Sequence, residues 1–180
     1  AAYYDSLECF IFIFNKSFPE NTKTLNNFCP IHYACAGGAL EVASFLCSKE
    51  HRNNSEIGTS PNNSNNTPLF LATLSNSPLI VKLLFESGAN LPAYSSQFAS
   101  KSPLTQAISS QAIDCLLILL EHTNLQKKDE QNYSPLMKAI ANFLPNDIIY
   151  RLIDHGADLT YRSPEGLNAL FLACLGKNED

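Results

Sequence analysis

The chain has 180 residues, with 12 Lys and Arg against 17 Asp and Glu and a net charge of −5. So few cations cannot form the basic stripe that a phosphate backbone requires, which disfavours nucleic-acid binding. No unbroken apolar run approaches the ~20 residues of a spanning helix, while a hydrophobic share of 45% leaves ample material for a core.

Asn and Ser, 18 of each, fill a fifth of the chain and take the polar share that charged residues usually hold. The 6 Cys are too dilute for a disulfide scaffold. Most stand in apolar runs, Cys115 beside Leu116 and Leu117 for instance, where a reduced thiol behaves as a small hydrophobe. That favours a reducing, intracellular setting, the cytoplasm first. Sequons at Asn15, Asn53, Asn62, Asn65 and Asn132 are what chance produces in so Asn- and Ser-rich a sequence. The chain opens on Ala1 without an initiator Met, signal peptide or targeting segment, and reads as a piece of a longer one.

Residues 1–27 carry one element. Leu7, Phe10, Ile11 and Phe14 fall at i, i+3, i+4 and i+7, the stripe of an amphipathic helix. The run Phe10 to Phe14 also suits a strand by β-propensity. Helix is the preferred reading, as a flanking element on the N-terminal side.

From residue 28 the chain repeats itself. The recurring segments open at Pro30-Ile31-His32-Tyr33-Ala34, Pro68-Leu69-Phe70-Leu71-Ala72 and Pro103-Leu104-Thr105-Gln106-Ala107. Two more open at Pro135-Leu136-Met137-Lys138-Ala139 and Ala169-Leu170-Phe171-Leu172-Ala173. The steps between openings are 38, 35, 32 and 34 residues. A second apolar cluster follows each of the first four: Val42 to Leu46, Ile80 to Leu84, Cys115 to Leu119 and Ile148 to Ile153. Two of these close on a turn signal, Gly88-Ala89-Asn90 and Gly156-Ala157-Asp158.

Each part has a physical reading. Pro suits the first helical position, where its missing N–H is not needed and its φ is already helical. The Thr or Ser before it is a good N-cap. Leu and Ala three apart share one face of a short first helix, and Ala lets a neighbouring helix come close. The second helix carries a wider apolar stripe and ends at a left-handed Gly. One such unit cannot bury its own apolar face; stacking solves that.

These residues resemble the ankyrin repeat family, whose pattern is a Thr-Pro-Leu-His opening, a Gly turn, and a Gly-Ala-Asp or Gly-Ala-Asn close. Pro30-Ile31-His32 with Ala34, Gly38, Glu41 and Val42 match it, as do Thr67-Pro68-Leu69 with Gly88-Ala89-Asn90 and Ser134-Pro135-Leu136 with Gly156-Ala157-Asp158. The resemblance implies an all-α solenoid of helix-turn-helix units joined by short extended finger loops. The repeats then fall at about 28–66, 67–100, 101–132 and 133–166, with a partial one at 167–180. Residues 1–27 become the end of a preceding degenerate repeat. Thr123-Asn124 replaces Gly-Ala, Ala169 replaces Pro, and the fourth repeat fits only with one residue inserted near Leu144-Pro145. The long first step is explained by residues 53–66, a polar low-complexity stretch without apolar period.

Candidate chemistry is thin. Cys29, His32 and Cys35 have zinc-ligand types and spacing but lack a fourth ligand or a second pair. The resemblance makes His32 a helix-start His whose ring bonds backbone. Cys47 with His51, and Asp154 beside His155, fit packed or capping side chains better than a nucleophile and its base. No phosphate-loop, dinucleotide, zinc-protease or serine-hydrolase motif is present. No catalytic, cofactor or metal residue is assigned, and the chain is expected not to be an enzyme.

What remains is surface. The resemblance places partners on the concave face, made of loop tips and the outward side of the first helices. The third residue after each opening and the tips before it supply the candidates Phe28, Tyr33, Leu71, Lys101, Gln106, Tyr133 and Lys138. Aromatic residues among them suit interface anchors. The expected role is a protein–protein interaction scaffold, a monomeric array binding a protein partner of unknown identity. The alternative is the regulatory or targeting array of a larger enzyme or channel.

Overall fold

Capped prolines start the helices, and left-handed residues turn them back. The computed structural model describes residues 6–17, 23–48, 66–89, 102–126, 128–129 and 131–175. Among these residues every regular element is a helix. They are α1 (Leu7–Ser17), α2 (Pro30–Gly37), α3 (Leu40–Cys47), α4 (Pro68–Leu74) and α5 (Pro78–Glu86). Next come α6 (Pro103–Ser109), α7 (Ile113–Leu120), α8 (Pro135–Ala141), α9 (Asn146–Asp154) and α10 (Ala169–Leu175). The Phe-rich N-terminal segment is therefore a helix and not a strand. Most of residues 53–66 and all of 176–180 lie outside the described residues, as do Lys101 and His51.

The N-caps are those the sequence sets out. Thr67 Oγ1 accepts the Phe70 N–H at 3.2 Å, Ser102 Oγ the Thr105 N–H at 3.0 Å, and Ser134 Oγ the Met137 N–H at 3.2 Å. Asn168 Oδ1 does the same for Phe171 at 3.0 Å, ahead of the one opening without Pro. At α2 the cap position is Cys29, and its N–H donates to His32 Nδ1 at 3.2 Å in a capping box.

Eight residues after each of the four opening prolines the chain turns left-handed, at Gly38, Asn76, Gln111 and Phe143, with φ of 67°, 49°, 54° and 55°. The next N–H then reaches back to the fixed Ala. Ala39 donates to the Ala34 carbonyl, Ser77 to Ala72 and Ala112 to Ala107, each at 2.9 Å, and Leu144 to Ala139 at 3.1 Å. This is the long bond of a Schellman turn. A Cβ at Gly38 would stand 2.9 Å from Ser77 Oγ, so that hydroxyl would have to shift to admit one. The neighbouring Ser75 hydroxyl donates to the Cys35 carbonyl at 2.7 Å, tying one turn to the next.

The second helices close similarly. Gly88 and Gly156 are left-handed, with Ala89 N–H returning to Leu84 O at 2.8 Å and Ala157 N–H to Leu152 O at 3.1 Å. Where Gly-Ala is missing after α7, the Thr123 hydroxyl donates to the Leu119 carbonyl at 2.6 Å instead. The irregular fourth repeat is equally legible. Its turn closes normally at Leu144, and the added residue is Pro145, immediately ahead of α9.

The chain forms two compact units, Ala1–Pro92 and Ala93–Asp180. In the first, α2 packs on α3 and α4, α5 on α3 and α4, and α1 on α3. The α1 seat is aromatic: the Phe10, Phe14 and Phe45 rings lie 5.4–5.9 Å apart, centre to centre. In the second, α6 packs on α7 and α8, and α8 on α9 and α10. Its core holds Leu104, Ile108, Leu116, Leu119, Leu136, Ile148 and Leu152.

Leu104→Ala is expected to destabilise the second unit by about 2–5 kcal/mol through lost transfer energy and a residual cavity; an unchanged urea midpoint would remove Leu104 from the core. Phe143 is largely exposed in a backbone region that bulky residues avoid. Phe143→Asn should therefore raise stability by about 1 kcal/mol, read as an upward shift of the thermal midpoint.

Candidate interaction surface on the finger loops

Three loops ahead of first helices share one frame, at residues 24–28, 129–133 and 163–167. In each, the first residue's N–H donates to the carbonyl of the fifth: Thr24 to Phe28 at 3.0 Å, Asp129 to Tyr133 at 3.0 Å, Ser163 to Leu167 at 2.7 Å. The fourth residue's N–H returns to the carbonyl of the first, at 2.8 Å, 3.0 Å and 2.8 Å. Closing so tight a ring needs a left-handed fourth residue, supplied by Asn27, Asn132 and Gly166. A side-chain oxygen then braces the first two frames. Thr24 Oγ1 accepts the Phe28 N–H at 3.1 Å, and Asp129 Oδ1 accepts those of Gln131 and Tyr133 at 2.9 Å each.

The fifth loop residue is apolar or aromatic. Phe28 is half-buried, its ring 5.5 Å from that of His32 and 5.9 Å from that of Tyr33. Tyr33 is 41% exposed, and Leu25 stands fully open at the tip of the same loop. In the second unit Tyr133 is half-buried. Its loop is tied to the next stretch of chain by the Tyr161 hydroxyl, which donates to the Asn132 carbonyl at 2.9 Å. The Lys128 ammonium lies 4.0 Å from the centre of the Tyr161 ring. Asp158 accepts from the Thr160 hydroxyl at 2.8 Å and from the Thr160 and Tyr161 N–H groups at 2.9 and 3.1 Å. The bonds from Thr160 hold its carboxyl below the usual carboxylate range.

The remaining candidates divide. Lys138 is committed inward, its ammonium 2.7 Å from Asp129 Oδ2, a carboxylate with almost no exposed surface. Its work is to hold the finger frame that presents Tyr133. Gln106 is half-buried on α6. Leu71 is buried on α4, as is every residue from Pro68 to Thr73, and the exposed residue of that helix is Leu74. Lys101 lies outside the described residues. The structure thus joins Phe28 to Tyr33, and Tyr133 to Lys138 through Asp129. Sequence reasoning passed over Asp129, Lys128 and Tyr161. The available signal was the Asn or Gly three before each of these openings, which marks the same tight loop.

The Cys and His residues are placed as structural groups. His32 is fully buried and uses Nδ1 for the α2 cap, so that nitrogen is not open to a ligand. His155 Nδ1 lies 2.8 Å from the Arg151 carbonyl at the end of α9. Burial, with Cys47 nearby, raises the Cys35 thiol well above its usual range; burial and the Asp114 carboxylate push Cys115 up to about 11. Both stay protonated at neutral pH and are poor nucleophiles. Among the described residues no group of His, Cys, Asp and Glu is placed to hold a metal ion, and no helix is long and apolar enough to cross a membrane.

The family model for ankyrin repeats in three copies matches residues 1–95, and the chain belongs to the ankyrin repeat family. Such repeats are generally protein–protein interaction modules. Among curated proteins, the Caenorhabditis elegans ankyrin repeat and KH domain-containing protein mask-1 is 29% identical over 139 residues, 76% of this chain. The chain spans about 5% of that relative's length. Among solved structures, the human ASB11 ankyrin repeat domain superposes with a TM-score of 0.71 at 25% identity, covering 99% of this chain and 91% of that one. A chain in the structure of the Bdellovibrio bacteriovorus predatory endopeptidase Bd0816 in complex with immunity protein Bd3460 gives 0.74 at 22% identity, covering 99% and 90%.

Two measurements check this picture. Cys9 and Cys174 are exposed while Cys29, Cys35, Cys47 and Cys115 are buried, so alkylation of the folded protein at neutral pH should label the first pair and reach the other four only on unfolding. Lys138→Met leaves the Asp129 carboxylate without its cation and should cost about 1.5–3 kcal/mol, with loss of amide protection at Gln131 and Tyr133 in hydrogen exchange.

Proposed function

We propose that this chain is a non-enzymatic protein-binding module that engages its partner through finger loops and the outward edge of the first helices they precede. One observation carries the reading. The same backbone frame recurs at three loops, each closed by two reciprocal bonds, and on two of them it presents an aromatic ring beside a first helix. A loop held in this way gives up little conformational entropy on binding. In the first unit Phe28 and Tyr33 are the anchors, with Leu25 on the same loop; in the second Tyr133 is the anchor, with Lys128 and Tyr161 around its loop and Gln106 on α6. Lys138 acts by keeping Tyr133 in place.

A second reading places this module inside a longer protein as its targeting or regulatory array. It is favoured by the small share of the curated relative that the chain spans. The parent reading frame decides it: flanking sequence with no catalytic or membrane domain would remove that alternative.

The binding reading is tested by affinity capture with the wild-type chain and with Tyr33→Ala and Tyr133→Ala. Each substitution should weaken the captured partner about tenfold or more, the loss of one anchor, with the circular dichroism spectrum unchanged. Equal capture by all three proteins would overturn the assignment of these anchors.

A further inference from the structure

One peptide group in the second unit is gripped at both ends, by side chains of the loop ahead of α8 and of the loop ahead of α10. It joins Asn132 to Tyr133, the fourth and fifth residues of the finger. Its carbonyl accepts the Tyr161 hydroxyl at 2.9 Å, and its N–H donates to Asp129 Oδ1 at 2.9 Å. The group is planar, so its two ends cannot be reoriented separately. Holding both fixes the plane, and with it ψ of Asn132 and φ of Tyr133. The second of these angles sets the direction in which the Tyr133 side chain leaves the loop.

Each grip is itself held. Asp129 Oδ2 takes the Lys138 ammonium at 2.7 Å, which keeps the carboxylate turned into the finger. On the other side, Tyr161 N–H donates to Asp158 Oδ1 at 3.1 Å, and the Lys128 ammonium lies 4.0 Å from the centre of the Tyr161 ring. Lys128 Nζ also donates to the Gln126 carbonyl at 2.7 Å, and Gln126 Nε2 to the Gly156 carbonyl at 3.0 Å. The stretch 124–133 therefore meets the stretch 156–161 through Gln126 on Gly156, Lys128 on Tyr161 and Tyr161 on Asn132. A hydroxyl bond at the solvent edge ordinarily gains little, because water competes for both partners. Here Asp158 and Lys128 already restrain the Tyr161 side chain, so making the bond costs little further entropy.

We infer that Tyr161 is a positioning residue for Tyr133, and that the finger ahead of α8 takes its working shape only when the loop ahead of α10 is in place. The two loops then open and close as one unit, joined by a single hydroxyl. That Tyr133 is positioned for a partner rests on the binding reading above; the clasp is a property of the free chain.

The test is amide hydrogen exchange on the full chain, read residue by residue by NMR. Tyr161→Phe removes the hydroxyl and keeps the ring over Lys128. Exchange at Asn132 and Tyr133 should rise about fivefold, the loss of one hydrogen bond, while Leu116 and Leu119 in the core of α7 keep their rates. The three-bond HN–Hα coupling of Tyr133, which reports φ, should change in the same variant. Lys138→Met, which frees Asp129, should also speed exchange at Thr160 and Tyr161. Combined with Tyr161→Phe it should add nothing there, since the link is already cut. The inference is overturned by unchanged exchange and coupling at Tyr133 in Tyr161→Phe, or by equal acceleration at Leu116 and Leu119. A Lys138→Met effect at Thr160 that is absent, or that survives loss of the hydroxyl, overturns it as well. Failure of the binding reading shows elsewhere, as equal capture by wild type and Tyr133→Ala, so the two fail separately.

Discussion

The described helices run for seven to eleven residues, short of the ~12–15 at which even a favourable isolated helix holds in water. Each persists only because neighbours bury one of its faces, and that requirement sets the rest of the design. A face can be buried on both sides only if the chain reverses tightly after every helix. Reversal in turn needs a left-handed residue and a backbone N–H that satisfies the helix's last carbonyls. The bond from the residue after each left-handed turn to the Ala four after the opening meets that need, at all four Pro-led first helices. The Ala is fully buried there, so its missing bulk is what admits the neighbouring helix.

Much of this was legible in the sequence, because the signals act over a few residues. Pro with Thr or Ser ahead of it marks a helix start whatever surrounds it, and Thr67, Ser102 and Ser134 all cap as their chemistry dictates. Gly88 and Gly156 likewise mark helix ends. Residues that depend on distant neighbours were harder. Leu71 holds the outward position on its helix by spacing alone, yet α4 lies between α2 and α5 and is buried from Pro68 to Thr73. Lys138 looks like a free surface cation until Asp129, nine residues earlier, folds back to meet it. Gln111 and Phe143 are poor left-handed residues by type, so no local signal distinguishes them; the turn geometry imposed by the two flanking helices does.

The Asn-rich composition acquires a partial physical account. Asn27, Asn76 and Asn132 occupy left-handed positions where other side chains are strained. Asn142 and Asn168 bond backbone at a helix end and a helix start, through Nδ2 to the Lys138 carbonyl and Oδ1 to the Phe171 N–H. In this fold Asn does work that Gly and Ser do elsewhere. A loop built from reciprocal backbone bonds then holds its side chains ready without depending on the identity of its tip residues, so the tips can change while the frame stays.

Pro145 shows where such a repeat can stretch. From Pro to the left-handed residue the distance is eight in all four openings, and from the first buried residue of the second helix to its closing Gly it is eight for both Ile80 to Gly88 and Ile148 to Gly156. The added residue falls between these two blocks, at a joint already sealed by the Leu144 bond. The motif behaves as two rigid words separated by an elastic space. A pattern that scores the words independently, with a gap allowed only at that joint and in the loop beyond the Gly, would align divergent arrays that a fixed-period template splits or misses.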